Sequence, residues 1–297
     1  VFGVFFGTGV DNSGATVTTS SFARFNSKGR SFEADLEDYL SGIAGRFIMM
    51  LDSGTKTRVY RDPMGHMPLF YNAESELSGS SIYLTIDHAV NTNPACGRPG
   101  EAPISTVAVF PMGQTGDHDV RLMPGNHVLD LADFSAHRGW PVRNSIRKVT
   151  AGKAAPVIDR MAMRLRSIVQ GWISADDVVL TLDSSVGARI LLAAAGDQRD
   201  NLAQICVLQP GQPRDAQDHA VSQMMAEATG TRLHVFDTAT ATNTFGSARS
   251  LRHVRKRHFW LRTSSAIRVP QQTIVGVDAL YPGQHVMLNA AGLDALQ

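Results

Sequence analysis

From Asp177 to Phe236 the chain alternates between short, continuously apolar runs and segments with apolar residues every three or four positions, and few architectures accept that alternation. Asp177 to Leu182 is compact, apolar and rich in β-branched residues, which reads as a strand. Val186 to Ala195 has helical spacing, and Leu202 to Leu208 is again strand-like. Arg214 to Thr229 is helical and stops at Gly230, and Arg232 to Phe236 completes the series as a strand. A βαβαβ order with strands apolar on both faces predicts a parallel sheet covered on each side. Upstream, Ala154 to Trp172 carries Val157, Ile158, Met161, Met163, Leu165, Ile168 and Val169 along a helix of about five turns.

The first half has a different grain. Gly, Ser, Asp and Pro interrupt it about every eight to twelve residues, with short apolar segments between, as in a β-sandwich. Val1 to Phe6, Phe47 to Leu51, Thr57 to Tyr60, Leu69 to Tyr71 and Ile82 to Ile86 read as strands, and Asp52-Ser53-Gly54-Thr55 makes a hairpin of the second and third. Leu36, Tyr39, Leu40 and Ile43 place one short helix over Glu33 to Ile43. Asn91 to Pro103 reads as a loop, and the low-complexity patch Thr238 to Thr244 as another. The change of character near Pro141 to Lys153 marks a domain boundary.

Charge and cysteine usage narrow the function classes. With 28 Lys+Arg against 27 Asp+Glu the formal charge is +1, so no global field draws in nucleic acid or anionic lipid, and no nucleic-acid partner is expected. Cys96 and Cys206 lie far apart with no second pair to complete a metal cluster, which points to a reducing compartment. The longest apolar stretch, roughly Ala188 to Ala195, is far short of a bilayer span, and Val1 to Phe6 lacks a basic flank. The expectation is a cytoplasmic protein without membrane insertion. His66, His88 and His137 are scattered singly, and neither a His-Glu-x-x-His motif nor a Walker-type loop occurs.

Gly45-Arg46-Phe47, a hairpin, and then Tyr60-Arg61-Asp62-Pro63-Met64-Gly65-His66-Met67-Pro68-Leu69-Phe70-Tyr71 resemble the glutaminase-type domain of the glutamine-hydrolysing asparagine synthetases, whose pattern runs GrF…aRDp.G..PLfY. In physical terms Asp62 and Gly65 shape a tight turn, and Pro68 to Tyr71 starts a strand. Leu122 to Leu129 resembles the family's lpPGh.l hairpin, and Arg138-Gly139-Trp140-Pro141 its RyWxP. Val178 to Ala195 sits where the family has a strand, the SGGxDS pyrophosphate loop and a helix. Pro213-Arg214-Asp215 with His219-Ala220, through Gly230 to Val235, resembles yDE..yA…lG..h..v, and His285 to Leu296 resembles vvLtGqGGDEL. The resemblance implies an α/β protein, α+β overall, in two degenerate domains. Residues 1–145 would be a glutaminase-like, Ntn-type β-sandwich. Residues 154–297 would be a PP-loop α/β domain of the adenine-nucleotide-alpha-hydrolase type, short and without the family's C-terminal helical portion.

Both reaction centres of the family are altered. The glutaminase nucleophile is an N-terminal cysteine, and the aligned residue here is Phe2, a hydrocarbon ring that cannot attack an amide. On the family's LSGGxDSR, Asp183 falls at the serine, Ser184 and Ser185 at the glycines, Gly187 at the aspartate, Ala188 at the last serine and Arg189 at the arginine. A phosphate cradle needs small residues that let backbone N–H groups approach oxygen, and Asp183 sets a carboxylate there instead. An N-cap role for Asp183 accounts for it without catalysis. A second register puts Asp183-Ser184-Ser185 on the family's DSS, but then Val179-Leu180-Thr181 replaces Ser-Gly-Gly inside a strand. Asp215 and Asp218, early in a helix, suit its dipole. Asp294 is what remains of the late carboxylate pair, whose partner is Ala295 here, and magnesium sites of this type rely on several carboxylates with substrate phosphates. No metal is expected.

The densest basic stretch, Arg252 to Trp260, offers Arg255, Lys256 and Arg257 to an acidic partner, with Phe259 and Trp260 as anchors; a solvated helical face is the competing reading. The favoured expectation is a pseudoenzyme with a structural or protein-interaction role, no cofactor, and a protein partner or a second copy of itself. The alternative is a glutamine-independent, ATP- and Mg-dependent amide-forming ligase resembling β-lactam synthetases and lasso-peptide cyclases. Those families retain the SGGxDS loop.

Overall fold

The computed structural model describes residues 2–22, 25, 32–91, 93, 113–139, 148–208, 214–237 and 286–288. They divide into two compact units, one drawn from the described residues of 1–11 and 17–148, the other from those of 12–16, 149–237 and 286–288. The fold class is mixed α/β, with antiparallel sheets in the first unit and a parallel sheet in the second.

In the first unit, β1 (Phe2–Val10), β2 (Ala44–Asp52), β3 (Thr57–Arg61), β7 (His127–Asp130) and β8 (Ser135–Arg138) form a five-stranded sheet in the order β1-β2-β3-β7-β8. Its neighbours are all antiparallel. Side chains alternate between its faces. Phe5, Phe47, Met49, Leu51, Tyr60 and Val128 cluster with Leu36 and Leu40 of helix α1 (Phe32–Ser41). Burying those two leucines contributes at most about 1.5–3 kcal/mol each. On the opposite face Ile48, Met50, Val59, Leu129 and Ala136 meet Leu69, Tyr71 and Met123. Tyr71 belongs to β4 (Phe70–Asn72), the centre of a three-stranded sheet with β5 (Leu77–Gly79) and β6 (Arg121–Leu122).

The β1–β2 pair depends on bare backbone. A Cβ on Gly45 would strike the Thr8 carbonyl and the Cα of Gly9, which is the steric content of the Gly-Arg-Phe motif. The hairpin between β2 and β3 turns at Gly54, with φ +82°, and the Gly54 amide donates to Asp52 Oδ1 at 2.7 Å.

Ile82 to Ile86 is not the strand its alternation predicts. Ile82–Leu84 is a 3-10 turn, closed by Thr85 Oγ1 donating to the Ile82 carbonyl at 2.8 Å. Ile82 and Ile86 share a small core with Phe70 and Val120, while Leu84 is exposed. A spacing of four serves a helical turn as well as a strand, and the hydroxyl's local bond decides between them.

The second unit follows the predicted alternation. After α2 (Ala155–Ala175) come β9 (Val178–Thr181), α3 (Val186–Ala195), β10 (Leu202–Leu208), α4 (Asp215–Thr229), β11 (Leu233–Asp237) and β12 (Val286–Leu288). The sheet order is β11-β10-β9-β12, and every pair is parallel. Val178, Val179 and Leu180 are all buried, as a strand covered on both faces requires. α4 ends at Gly230, whose φ of +69° lets its N–H return to the carbonyls of Ala226 and Glu227. Among the described residues no helix is long and apolar enough to cross a membrane.

Candidate functional site

Strand order reverses beside β9, because the chain moves from β9 outward to β10 and β11 and then places β12 on the other side. In open parallel sheets that reversal leaves a crevice at the carboxyl ends of the strands, where ligands characteristically bind. Residues 182–185 leave the carboxyl end of β9 at that point and lead into α3.

The crevice loop is held by its own side chains. The Leu182 amide donates to the Ile205 carbonyl at 2.8 Å, which ties the end of β9 to β10. The Ser184 amide donates to Asp218 Oδ1 at 2.9 Å, and the Ser185 amide to Asp183 Oδ1 at 2.9 Å. Ser185 Oγ then accepts from the Ala188 amide at 3.1 Å. Ser185, extended at φ −70° and ψ 153°, is therefore the N-cap of α3. This corrects the reading of Asp183 as the cap. Asp183 lies two residues before the cap position, and it closes a local turn on the Ser185 amide instead. Asp218 likewise does more than favour a dipole, since its carboxylate bridges α4 to the loop before α3.

Asp183, Asp215 and Asp218 all act on Cys206, a fully buried residue of β10. Burial pushes the Cys206 thiol up, a hydrogen bond with Ser222 opposes that, and the three carboxylates add to the rise. Gly187 and Ala188 are buried in the first turn of α3, and the Arg189 guanidinium donates to the Ser185 carbonyl at 3.4 Å. The amides of Ser184 and Ser185 thus both already serve carboxylates.

The Arg61-Asp62 motif is structural. Asp62 is fully buried, and its carboxylate accepts the amides of His66 at 2.8 Å and Met67 at 3.0 Å, while its carbonyl accepts the Gly65 amide at 2.9 Å. Gly65 has φ +66°, as the predicted turn requires. The Arg61 guanidinium donates to the carbonyls of Gly65, Met67 and Met123. Burial draws its pKa down to about 10 against the pull of Asp62, so it stays protonated at neutral pH.

Phe2 opens β1 opposite Asp52. Asp294 and the basic cluster with Arg255, Lys256, Arg257, Phe259 and Trp260 lie outside the described residues, as does Thr238 to Thr244.

One constellation was not legible in the sequence. His88, read there as solitary, meets Asp117 and Asp119. His88 Nε2 lies 3.8 Å from Asp117 Oδ2 and 3.6 Å from Asp119 Oδ2, while Nδ1 is 3.1 Å from Asp87 Oδ1. The hydrogen bond with Asp87, aided by the charges of Asp117 and Asp119, raises the His88 pKa. Asp117 is fully buried and accepts the amides of Asn91 and Asp119 at 2.9 Å each. Asp119 Oδ2 accepts from Asn91 Nδ2 at 3.0 Å, and that bond, with one from His118, lowers its pKa. The sequence signal was Asp117-His118-Asp119 itself, but its distance from His88 along the chain hid the pairing.

No protein-family model and no curated protein matches this chain. Among solved structures it is similar to a glutamine-dependent NAD+ synthetase from Acinetobacter baumannii, in complex with ADP, at a TM-score of 0.31 and 12% identity over 61% of this chain. The match spans 32% of that chain, about a third of its length. A superposition this loose assigns no activity here.

Proposed function

We propose that this protein is a catalytically impaired member of the asparagine-synthetase scaffold, with a degenerate Ntn-type glutaminase-like domain and a degenerate PP-loop domain, and that it works through protein interaction. The reading rests on one observation above all: the amides of Ser184 and Ser185 donate to the carboxylates of Asp218 and Asp183. Anions already sit where a polyphosphate would need free donors, and displacing them would bring phosphate against two carboxylates in a partly shielded crevice. Phe2 supports the same reading for the glutaminase half, since it has no nucleophilic atom. What remains is a scaffold with intact cores, whose role is to bind a protein partner or a second copy of itself.

The test pairs two measurements on the full chain. Mg-ATP should leave the thermal midpoint unchanged, and ATP–pyrophosphate exchange with a panel of amino-acid carboxylates should match the enzyme-free blank. Exchange above blank, or a midpoint raised by several degrees at millimolar Mg-ATP, overturns the proposal and restores the amide-ligase alternative. A stoichiometric partner or a stable dimer is expected from affinity capture and light scattering.

A further inference from the structure

We infer that His88, Asp117 and Asp119 form a binding site for a first-row divalent transition ion of the zinc type. The three offer one imidazole nitrogen and two carboxylate oxygens, all within 4.8 Å of one another. His88 Nε2 stands 3.6 and 3.8 Å from the nearest oxygens of Asp119 and Asp117. Those separations are too long for hydrogen bonds. They are close to the spacing of two ligands on one tetrahedral ion, which is about 3.4 Å when each metal–ligand bond is about 2.1 Å. For the two histidine–carboxylate pairs, closing onto an ion therefore needs shifts of only a few tenths of an ångström, and the third pair starts from no more than 4.8 Å.

The surroundings hold each ligand in place. Asp87 Oδ1 faces Nδ1 of His88 at 3.1 Å, which turns Nε2 toward the two carboxylates in the carboxylate–histidine–metal arrangement. The Asn91 side chain orients Asp119 through Oδ2, and the Asn91 and Asp119 amides orient Asp117. Asp117 is fully buried, yet among the described residues neither it nor Asp119 forms an ion pair with Lys or Arg. His88 is their ion-pair partner, and a divalent cation would take over that role at its Nε2. The mixed nitrogen and oxygen set suits zinc, cobalt or manganese better than calcium or magnesium, which favour oxygen alone. Three protein ligands leave a fourth position for water. Bound metal would fasten the Asp87–Asn91 segment to Asp117–Asp119.

The full chain, without a histidine tag and stripped with chelator, is dialysed against zinc at pH 7.5 and titrated separately with cobalt while visible absorption is followed. One saturable equivalent of zinc and visible cobalt bands are expected. His88→Gln and Asp119→Asn, both at partly exposed positions, should each weaken zinc binding at least about 30-fold, whereas His137→Gln should stay within about 3-fold of wild type. Circular dichroism confirms that each variant is folded. No saturable binding, binding that survives His88→Gln, or equal loss in His137→Gln overturns the assignment.

Discussion

Replacing Asp218 with Ala tests whether this carboxylate is what holds the crevice loop. The substitution removes the 2.9 Å bond from the Ser184 amide and one acidic residue from the first turn of α4. A hydrogen bond to a charged group contributes about 1.5–3 kcal/mol, and the half-buried setting places this one at the low end. Losing the charge from the helix start adds about 0.3–1 kcal/mol. Together these come to about 2 kcal/mol, read as a lower urea midpoint at unchanged slope. Asp218→Asn keeps an oxygen acceptor for Ser184 and should cost about half as much. Amide hydrogen exchange reports the contact directly, and Ser184 should be less protected in the Ala variant than in the Asn variant. A midpoint for Asp218→Ala within about 0.5 kcal/mol of wild type, or an Asn variant as damaged as the Ala variant, would refute the reasoning.

Ser185→Ala removes the cap of α3 and should cost about 1 kcal/mol by denaturant unfolding, while Ser185→Asn should restore most of it. Asp62→Ala strands the partly buried amides of His66 and Met67 and leaves the Arg61 guanidinium without its neighbouring anion; a loss of about 3 kcal/mol or more is expected, visible as a fall in folded yield and thermal midpoint. His234 should titrate below its ordinary value in NMR, because burial and then the charge of Arg232 disfavour its imidazolium. The unfolded chain therefore binds the proton more readily, so this residue subtracts stability as pH falls from about 6.5 through the folded pKa and contributes nothing above it. A His234 midpoint at or above that of a model peptide would contradict the assignment.

The parallel sheet was legible because β9 and β10 are apolar without alternation, and because Gly230 punctuates the end of α4. The Arg61-Asp62-Pro63-Met64-Gly65 turn was legible for a related reason, since its geometry is written in side-chain types that close turns locally. Two features escaped because nearby hydroxyls competed for them. Thr85 bends an apparent strand into a 3-10 turn, and Ser185 takes the capping role that Asp183 also suited. Asp218 and the His88 cluster escaped for another reason. Their contacts join residues 34 and about 30 positions apart, and no local periodicity records which side chains meet after folding. The crevice loop was thus readable in composition, but not in how its amides are satisfied.

The position of β12 bears on how the second unit is made. Thr181 Oγ1 reaches the Leu288 carbonyl from 107 residues away, and the register sets Val286 beside Val178. Until that late strand has left the ribosome, β9 has, among the described strands, β10 as its one partner, and its other edge is open. At about 5–20 residues per second the wait is roughly five to twenty seconds. A nascent chain in that interval is a template for pairing with a neighbour, and translation of the last strand ends its exposure.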